Sequence, residues 1–88
     1  MERIEEIVIV KNVHGLHARP AAVFVQLANK FDSWVLLEKD GERVDGKSII
    51  AILSLGVYPG AEVKLVIEGS DASEAFNELK KFLESGHD

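Results

Sequence analysis

Trp34-Val35-Leu36-Leu37-Glu38-Lys39-Asp40-Gly41-Glu42-Arg43-Val44 is the stretch whose reading decides the fold. Two β-favouring runs, 34–39 and 42–44, flank Asp40-Gly41, a pair preferred in two-residue hairpin turns, whose central positions need positive φ. A hairpin makes the sheet antiparallel at this point. On the N-terminal side, apolar residues recur at Ala21, Phe24/Val25, Ala28 and Phe31, the spacing of a helix running from Ala18 to Phe31. Pro20 fits only the first turn, where its missing N–H costs nothing, so it sets where that helix starts. Before it, the β-branched run Ile4 to Val10 reads as a strand. Asn12 to Leu16 breaks that strand, with Gly15 open to backbone conformations closed to other residues.

On the C-terminal side, Ser48 precedes Ile49-Ile50-Ala51-Ile52-Leu53 and Gly56 stops the element: a short helix with Ser48 as N-cap. Val63, Leu65 and Ile67 alternate on one face of a half-buried strand from Glu62 to Glu68. Asp71-Ala72-Ser73-Glu74 has the form of a capping box opening a last helix to about Glu84, with Ala75, Phe76, Leu79 and Phe82/Leu83 as its inner face. The order β-α-β-β-α-β-α predicts an α+β fold in which three helices cover one face of a four-stranded antiparallel sheet. The other face is left to solvent.

Eighty-eight residues predict a single domain over 1–88. With 47% hydrophobic and 28% charged residues, the chain has the composition of an ordinary folded domain. A net charge of −5 and scattered lysines and arginines argue against nucleic acid as a partner. Phe31, Trp34 and Phe82 read as core or core-edge aromatics rather than base-stacking platforms. Asp40 and Asp45 read as turn residues, not as a catalytic pair. The absence of cysteine excludes disulfide, zinc-thiolate and thiol-nucleophile chemistry. The apolar run Ile7 to Val10 is too short to span a membrane, and no signal-peptide pattern opens the chain, so a cytoplasmic location is expected.

Chemistry concentrates in Asn12-Val13-His14-Gly15-Leu16-His17-Ala18-Arg19-Pro20-Ala21-Ala22. Here an imidazole stands where a glycine-marked loop gives way to a proline-opened helix. Imidazole titrates near neutrality, so His17 is a competent nucleophile toward phosphorus. The N–H groups of the helix start, Ala18's among them, suit the resulting anion, and Arg19 adds a charge-assisted donor. Lys47 joins them if the second helix begins nearby. The plain alternative is that His17 merely caps the helix beside a surface arginine. A metal reading has His14 and His17 but only His87 as a further histidine, and no carboxylate at a characteristic spacing, so no metal and no cofactor is expected.

The run Gly15-Leu16-His17-Ala18-Arg19-Pro20-Ala21 resembles the active-site signature of HPr, the histidine-containing phosphocarrier family of the bacterial sugar phosphotransferase system. Lys47-Ser48-Ile49-Ile50-Ala51-Ile52-Leu53-Ser54-Leu55-Gly56 is similar to that family's regulatory-serine region, and the two blocks stand at the family's separation. The resemblance implies an open-faced β-sandwich of strand order 1-4-2-3. It implies that His17 carries phosphate on Nδ1 with Arg19 as companion, and that enzyme I is the donor and enzyme IIA domains of sugar permeases the acceptors. It implies a stoichiometric carrier rather than an enzyme. His14 departs from the small polar residue common before the glycine in that family.

Ser48 has two readings. It is an N-cap contributing about 1 kcal/mol, or it is also the serine that, by the same resemblance, HPr kinase/phosphorylase modifies, damping sugar uptake and recruiting a catabolite-control repressor. The helix it opens is apolar nearly all round. A domain this small cannot enclose it, so Ile49, Ile50 and Leu53 are expected as an exposed docking patch. Ala18, Ala22, Val23, Gln26 and Leu27 would frame His17 alongside, with plain core packing as the alternative for Val23 and Leu27. A monomer is expected, since serial docking needs the patch open. A module that only regulates through Ser48, and a relay serving nitrogen control or dihydroxyacetone phosphorylation, are the rival readings.

Overall fold

The computed structural model describes residues 2–86. Its elements are β1 (Glu2–Ile9), α1 (Ala18–Ala28), β2 (Trp34–Lys39), β3 (Glu42–Asp45), α2 (Ile49–Ser54), β4 (Glu62–Gly69) and α3 (Ala72–Glu84). The sheet is four-stranded and antiparallel, as the element order predicts, with the strand order β1-β4-β2-β3 that the family resemblance implies. The hairpin closes through Asp40 and Gly41, both at positive φ (52° and 83°), the conformation that the Asp-Gly pair tolerates.

Register decides which side chains face the helices. Val8 lies opposite Val63, Val35 opposite Ile67 and Leu37 opposite Leu65. These six are buried and meet Phe24 and Ala28 of α1, Ile52 of α2, and Ala75, Leu79 and Leu83 of α3. The opposite parity puts Trp34 beside Glu68 on the free face. Trp34 is therefore 72% exposed, against the expectation of a core or core-edge aromatic; Phe31 is buried and Phe82 half-buried.

The free face is organised by charge. Arg3 reaches Glu5 (2.9 Å) and Glu68 (3.8 Å), Lys64 reaches Glu5 (3.4 Å) and Glu38 (3.9 Å), and Arg43 meets Glu38 (2.9 Å). This chain of pairs crosses all four strands and surrounds Val66, which is buried although it points to the free side. Exposed pairs contribute little singly, so the network chiefly keeps this face charged.

Two helix ends differ from expectation. α1 stops at Ala28 because the following amides turn tighter: Lys30 N–H donates to Leu27 and Phe31 N–H to Ala28, each three residues back. Phe31 keeps its buried place outside the helix. At α3, Asp71 is the N-cap residue, but its side chain makes no capping bond. Its carboxylate accepts instead from the amides of Asp32 (2.9 Å) and Ser33 (3.0 Å) and from the Ser33 hydroxyl. These bonds, led by the Ser33 hydroxyl, hold the Asp71 carboxyl below its ordinary pKa. Ser73 Oγ turns to Glu2 rather than to its own helix. The capping box thus became a tether between α3 and the entry to β2.

Candidate functional site

The segment between β1 and α1 is held at four points. Val10 N–H donates to Ala61 (2.9 Å) and Gly60 N–H to Val10 (2.7 Å); Lys11 N–H donates to Leu83 at the end of α3 (2.8 Å); Leu16 N–H donates to Val57 (3.0 Å). Inside it, Gly15 N–H closes a turn onto Asn12 (3.0 Å). Gly15 takes φ +74°, and a Cβ there would lie 2.1 Å from the Val57 carbonyl oxygen. Only glycine lets the loop press this closely on the turn after α2. Leu16 plugs the core beneath.

This anchoring delivers His17 to the N-cap of α1 with an extended backbone (φ −83°, ψ −171°). Its carbonyl accepts from Ala21 N–H at 2.9 Å, the first helical bond. Its side chain makes no capping bond, which tells against the plain capping reading. The ring is half-exposed. Beside it, the amides of Ala18 and Arg19 have no acceptor within the helix, and Pro20 has no amide to offer. Ala18 and Arg19 are exposed, and among the described residues the guanidinium of Arg19 forms no ion pair. The arrangement is an imidazole ring, two aligned amides at the positive end of a helix dipole, and an exposed cation. Opposite lies the His14 ring, its centroid 5.6 Å from that of His17.

Lys47 is not brought to this place. Its ammonium donates to the Phe31 carbonyl (2.8 Å), beyond the C-terminal end of α1. α1 and α2 run antiparallel: the residues leaving α2 reach Leu16, whereas those entering it reach Phe31. Lys47 and Ser48 therefore stand at the far end of α1, on the order of 15 Å from His17 at 1.5 Å per residue. Ser48 Oγ accepts from Ala51 N–H (3.3 Å), so the predicted N-cap is formed.

The exposed apolar run lies where expected on α2. Ile50 is 82% exposed, Ile49 and Leu53 are each 40% exposed, and Ile52 turns inward. On α1, Ala22 and Val23 are half-buried and Gln26 is exposed, whereas Leu27 packs on the core. Among the described residues no group of three or more His, Asp or Glu side chains converges as metal ligands; His87 lies outside those residues. No helix there is long and apolar enough to cross a membrane. A groove of about 470 Å³, lined by Ile7, Lys39, Tyr58 and Lys64 among others, opens on the free face and contains no residue of the His17 segment.

Sequence reading overlooked two supports of the site, the Val57–Tyr58 turn that seats Gly15 and the end of α3 that anchors Lys11. Tyr58-Pro59-Gly60 carries a turn signal, but nothing local says which loop it receives.

The profile of the family described as "PTS HPr component phosphorylation site" matches residues 4–85. The HPr-like protein Crh of Halalkalibacterium halodurans is 47% identical over 81 residues, covering 92% of this chain and 96% of that one. The crystal structure of the phosphocarrier protein HPr of Bacillus anthracis superposes with a TM-score of 0.92 at 42% identity, covering 96% of this chain and all (100%) of that one. A crystal structure of an HPr dimer from Thermoanaerobacter tengcongensis gives a TM-score of 0.74 at 52% identity, with 89% and 90% of the two chains covered. The fold and the His17 segment thus define a small open-faced sandwich of the phosphotransferase-system class. The chain belongs to the HPr family.

Proposed function

We propose that the protein is a phosphocarrier that accepts a phosphoryl group on His17 from phospho-enzyme I and passes it to enzyme IIA domains of sugar permeases. The observation that carries this reading is the half-exposed His17 imidazole at the N-cap of α1, beside the Ala18 and Arg19 amides and the exposed Arg19 side chain. In each transfer a lone pair on the accepting ring nitrogen, Nδ1 of His17 when it loads, forms an N–P bond as the donor's N–P bond breaks. The proton on the other ring nitrogen stays in place. The amides and guanidinium offset the dianion's charge, which slows its loss to water. They grip it from one side only, so an incoming acceptor ring can approach the phosphorus. The carrier is stoichiometric, turning over no small substrate of its own.

Ile49, Ile50 and Leu53 with Ala22, Val23 and Gln26 form the docking surface that enzyme I and the enzyme IIA domains occupy in turn. Such serial use favours a monomer in the cytoplasm; the dimer described for one relative makes self-association the competing arrangement. Ser48 supports a regulatory layer, in which HPr kinase/phosphorylase modifies it and a catabolite-control repressor reads the product. The chain's likeness to Crh proteins, one of them described as a catabolite repression HPr, favours a second reading, a module that regulates through Ser48 alone. His17 favours the carrier, because a regulator needs no nucleophile there.

The test is phosphorus NMR after incubation with phosphoenolpyruvate and enzyme I. Acid-labile histidine phosphate is expected on the native chain, and none on a folded His17→Ala variant. Equal labelling of that variant would refute the carrier assignment.

A further inference from the structure

We propose that His14 is a positioning residue of the same site. As an imidazolium it donates an N–H to the phosphoryl group carried by His17, so that the group's persistence depends on pH. The inference rests on His17 being the phosphoryl acceptor.

The two rings stand edge to face, 5.6 Å between centroids and 67° between planes. His14 is exposed, and among the described residues the His17 ring is its only polar or ring contact. Its backbone is fixed all the same. The Asn12–Gly15 turn closes behind it, and Gly15 is pressed on the Val57 carbonyl. An exposed side chain on a fixed backbone, aimed beside the reactive ring, contributes nothing to the core and is placed for the site. Phosphorylation extends the His17 ring by one N–P and one P–O bond. A hydrogen bond then spans about 3 Å between heavy atoms, so a 5.6 Å centroid separation brings a phosphoryl oxygen within reach of a His14 ring N–H.

The charged and titratable groups on the surrounding segments are His17 and Arg19 at the start of α1, Lys11 on the same loop, Tyr58 on the turn against Gly15, and Lys81 and Glu84 on the last turn of α3. Histidine is the side chain whose charge switches near neutral pH. Arg19 therefore supplies a constant charge and His14 a conditional one. By reciprocity, a phosphate dianion that draws a proton onto His14 is itself favoured once His14 is protonated. No proton passes to the phosphate. As His17 loads, its N–P bond forms while the donor's N–P bond breaks, and His14 lends only the hydrogen bond.

The test follows the His14 ring signals by NMR from pH 5 to 8, before and after loading with phosphoenolpyruvate and enzyme I. Loading should move the His14 titration to higher pH, a gain in proton affinity of about three- to tenfold for two charges this close at a wet surface. Phospho-His17 should outlive that of His14→Ala by a similar factor near pH 5.5 and match it at pH 8. His14→Gln, a donor without charge, should outlive His14→Ala by a smaller factor that is the same at both pH values. A His14 titration unmoved by loading, or a ratio of native to His14→Ala lifetimes equal at both pH values, would overturn the proposal while leaving the carrier reading intact. Failure of the native chain to label at all would overturn both.

Discussion

Ile50→Glu separates docking from folding more cleanly than any other change on α2. Burying a whole isoleucine side chain is worth roughly 1.5–3 kcal/mol. Ile50 is 82% exposed, so the fold itself uses less than a fifth of that, about 0.3–0.5 kcal/mol. Glutamate recovers much of the loss through better helix propensity and a place in the first turn of α2. The melting temperature should move by less than about 4 °C, since 1 kcal/mol corresponds to roughly 4–8 °C for a domain this size. A partner that covers Ile50 gains the rest, about 1.2–2.5 kcal/mol. Its removal should weaken enzyme I binding about 7- to 60-fold at 1.4 kcal/mol per decade, before any penalty for burying the new carboxylate. Calorimetric titration with enzyme I and a thermal melt on the same preparation measure both quantities. Unchanged affinity with an unchanged melt would remove Ile50 from the docking surface. A melt lowered by more than about 10 °C would refute its exposure. Leu53→Glu is the less clean probe expected from sequence to spare stability: at 40% exposure the fold already uses about 0.9–1.8 kcal/mol of that side chain.

Gly15→Ala should cost about 2–4 kcal/mol, combining left-handed backbone strain with the overlap on the Val57 carbonyl; urea unfolding measures it, and a loss under 1 kcal/mol would mean the loop simply slides. Asp71→Asn should lower the melting temperature at pH 7 and flatten the acid limb of the stability curve. The folded carboxyl lies below its ordinary value, so its contribution is present above about pH 4 and is lost as pH falls through the depressed folded value. Parallel melting curves for the two proteins from pH 7 to pH 2 would exclude the Ser33 tether as their source of acid sensitivity. Ser48→Asp should keep the N-cap, because aspartate caps as well as serine, and should weaken enzyme I binding; equal affinity would dismiss charge repulsion at this end of the surface.

The features legible in the chain are those set by neighbours a few residues apart. Asp40-Gly41 specifies its turn, Pro20 the start of α1 and Ser48 the cap of α2, each through backbone requirements that the residue itself meets. Trp34, Asp71 and Lys47 depended on partners far along the chain. In β2, the pair Val35/Leu37 and the pair Trp34/Leu36 are both apolar, so alternation leaves the inward face open. Pairing with β4 settles it by aligning Val35 and Leu37 with the buried Ile67 and Leu65. Asp71 sits in a true capping-box pattern, yet 38 residues away the Ser33 hydroxyl and amide take its carboxylate. Lys47 joins His17 only if the two helix starts share one end of the domain. Antiparallel packing of α1 on α2 puts them at opposite ends.

That antiparallel packing also constrains how a phosphate on Ser48 would act. Ser48 and His17 mark the two ends of one surface, with Ile49, Ile50 and Leu53 on α2 beside the exposed side of α1. At physiological salt the Debye length is about 8 Å, roughly half the separation of the two ends. A charge at Ser48 is therefore largely screened at the His17 ring, and its leverage falls on whatever partner bridges both ends. The distinction is measurable with phosphoramidate, a small donor that needs no docking surface. Ser48→Asp should leave the rate of His17 phosphorylation by phosphoramidate within about twofold of the native rate at 0.15 M salt, while slowing transfer from enzyme I through a raised KM. If both donors slowed equally, the charge would be acting through the protein on the imidazole itself, and the division of α1 and α2 into a chemical end and a docking end would fail.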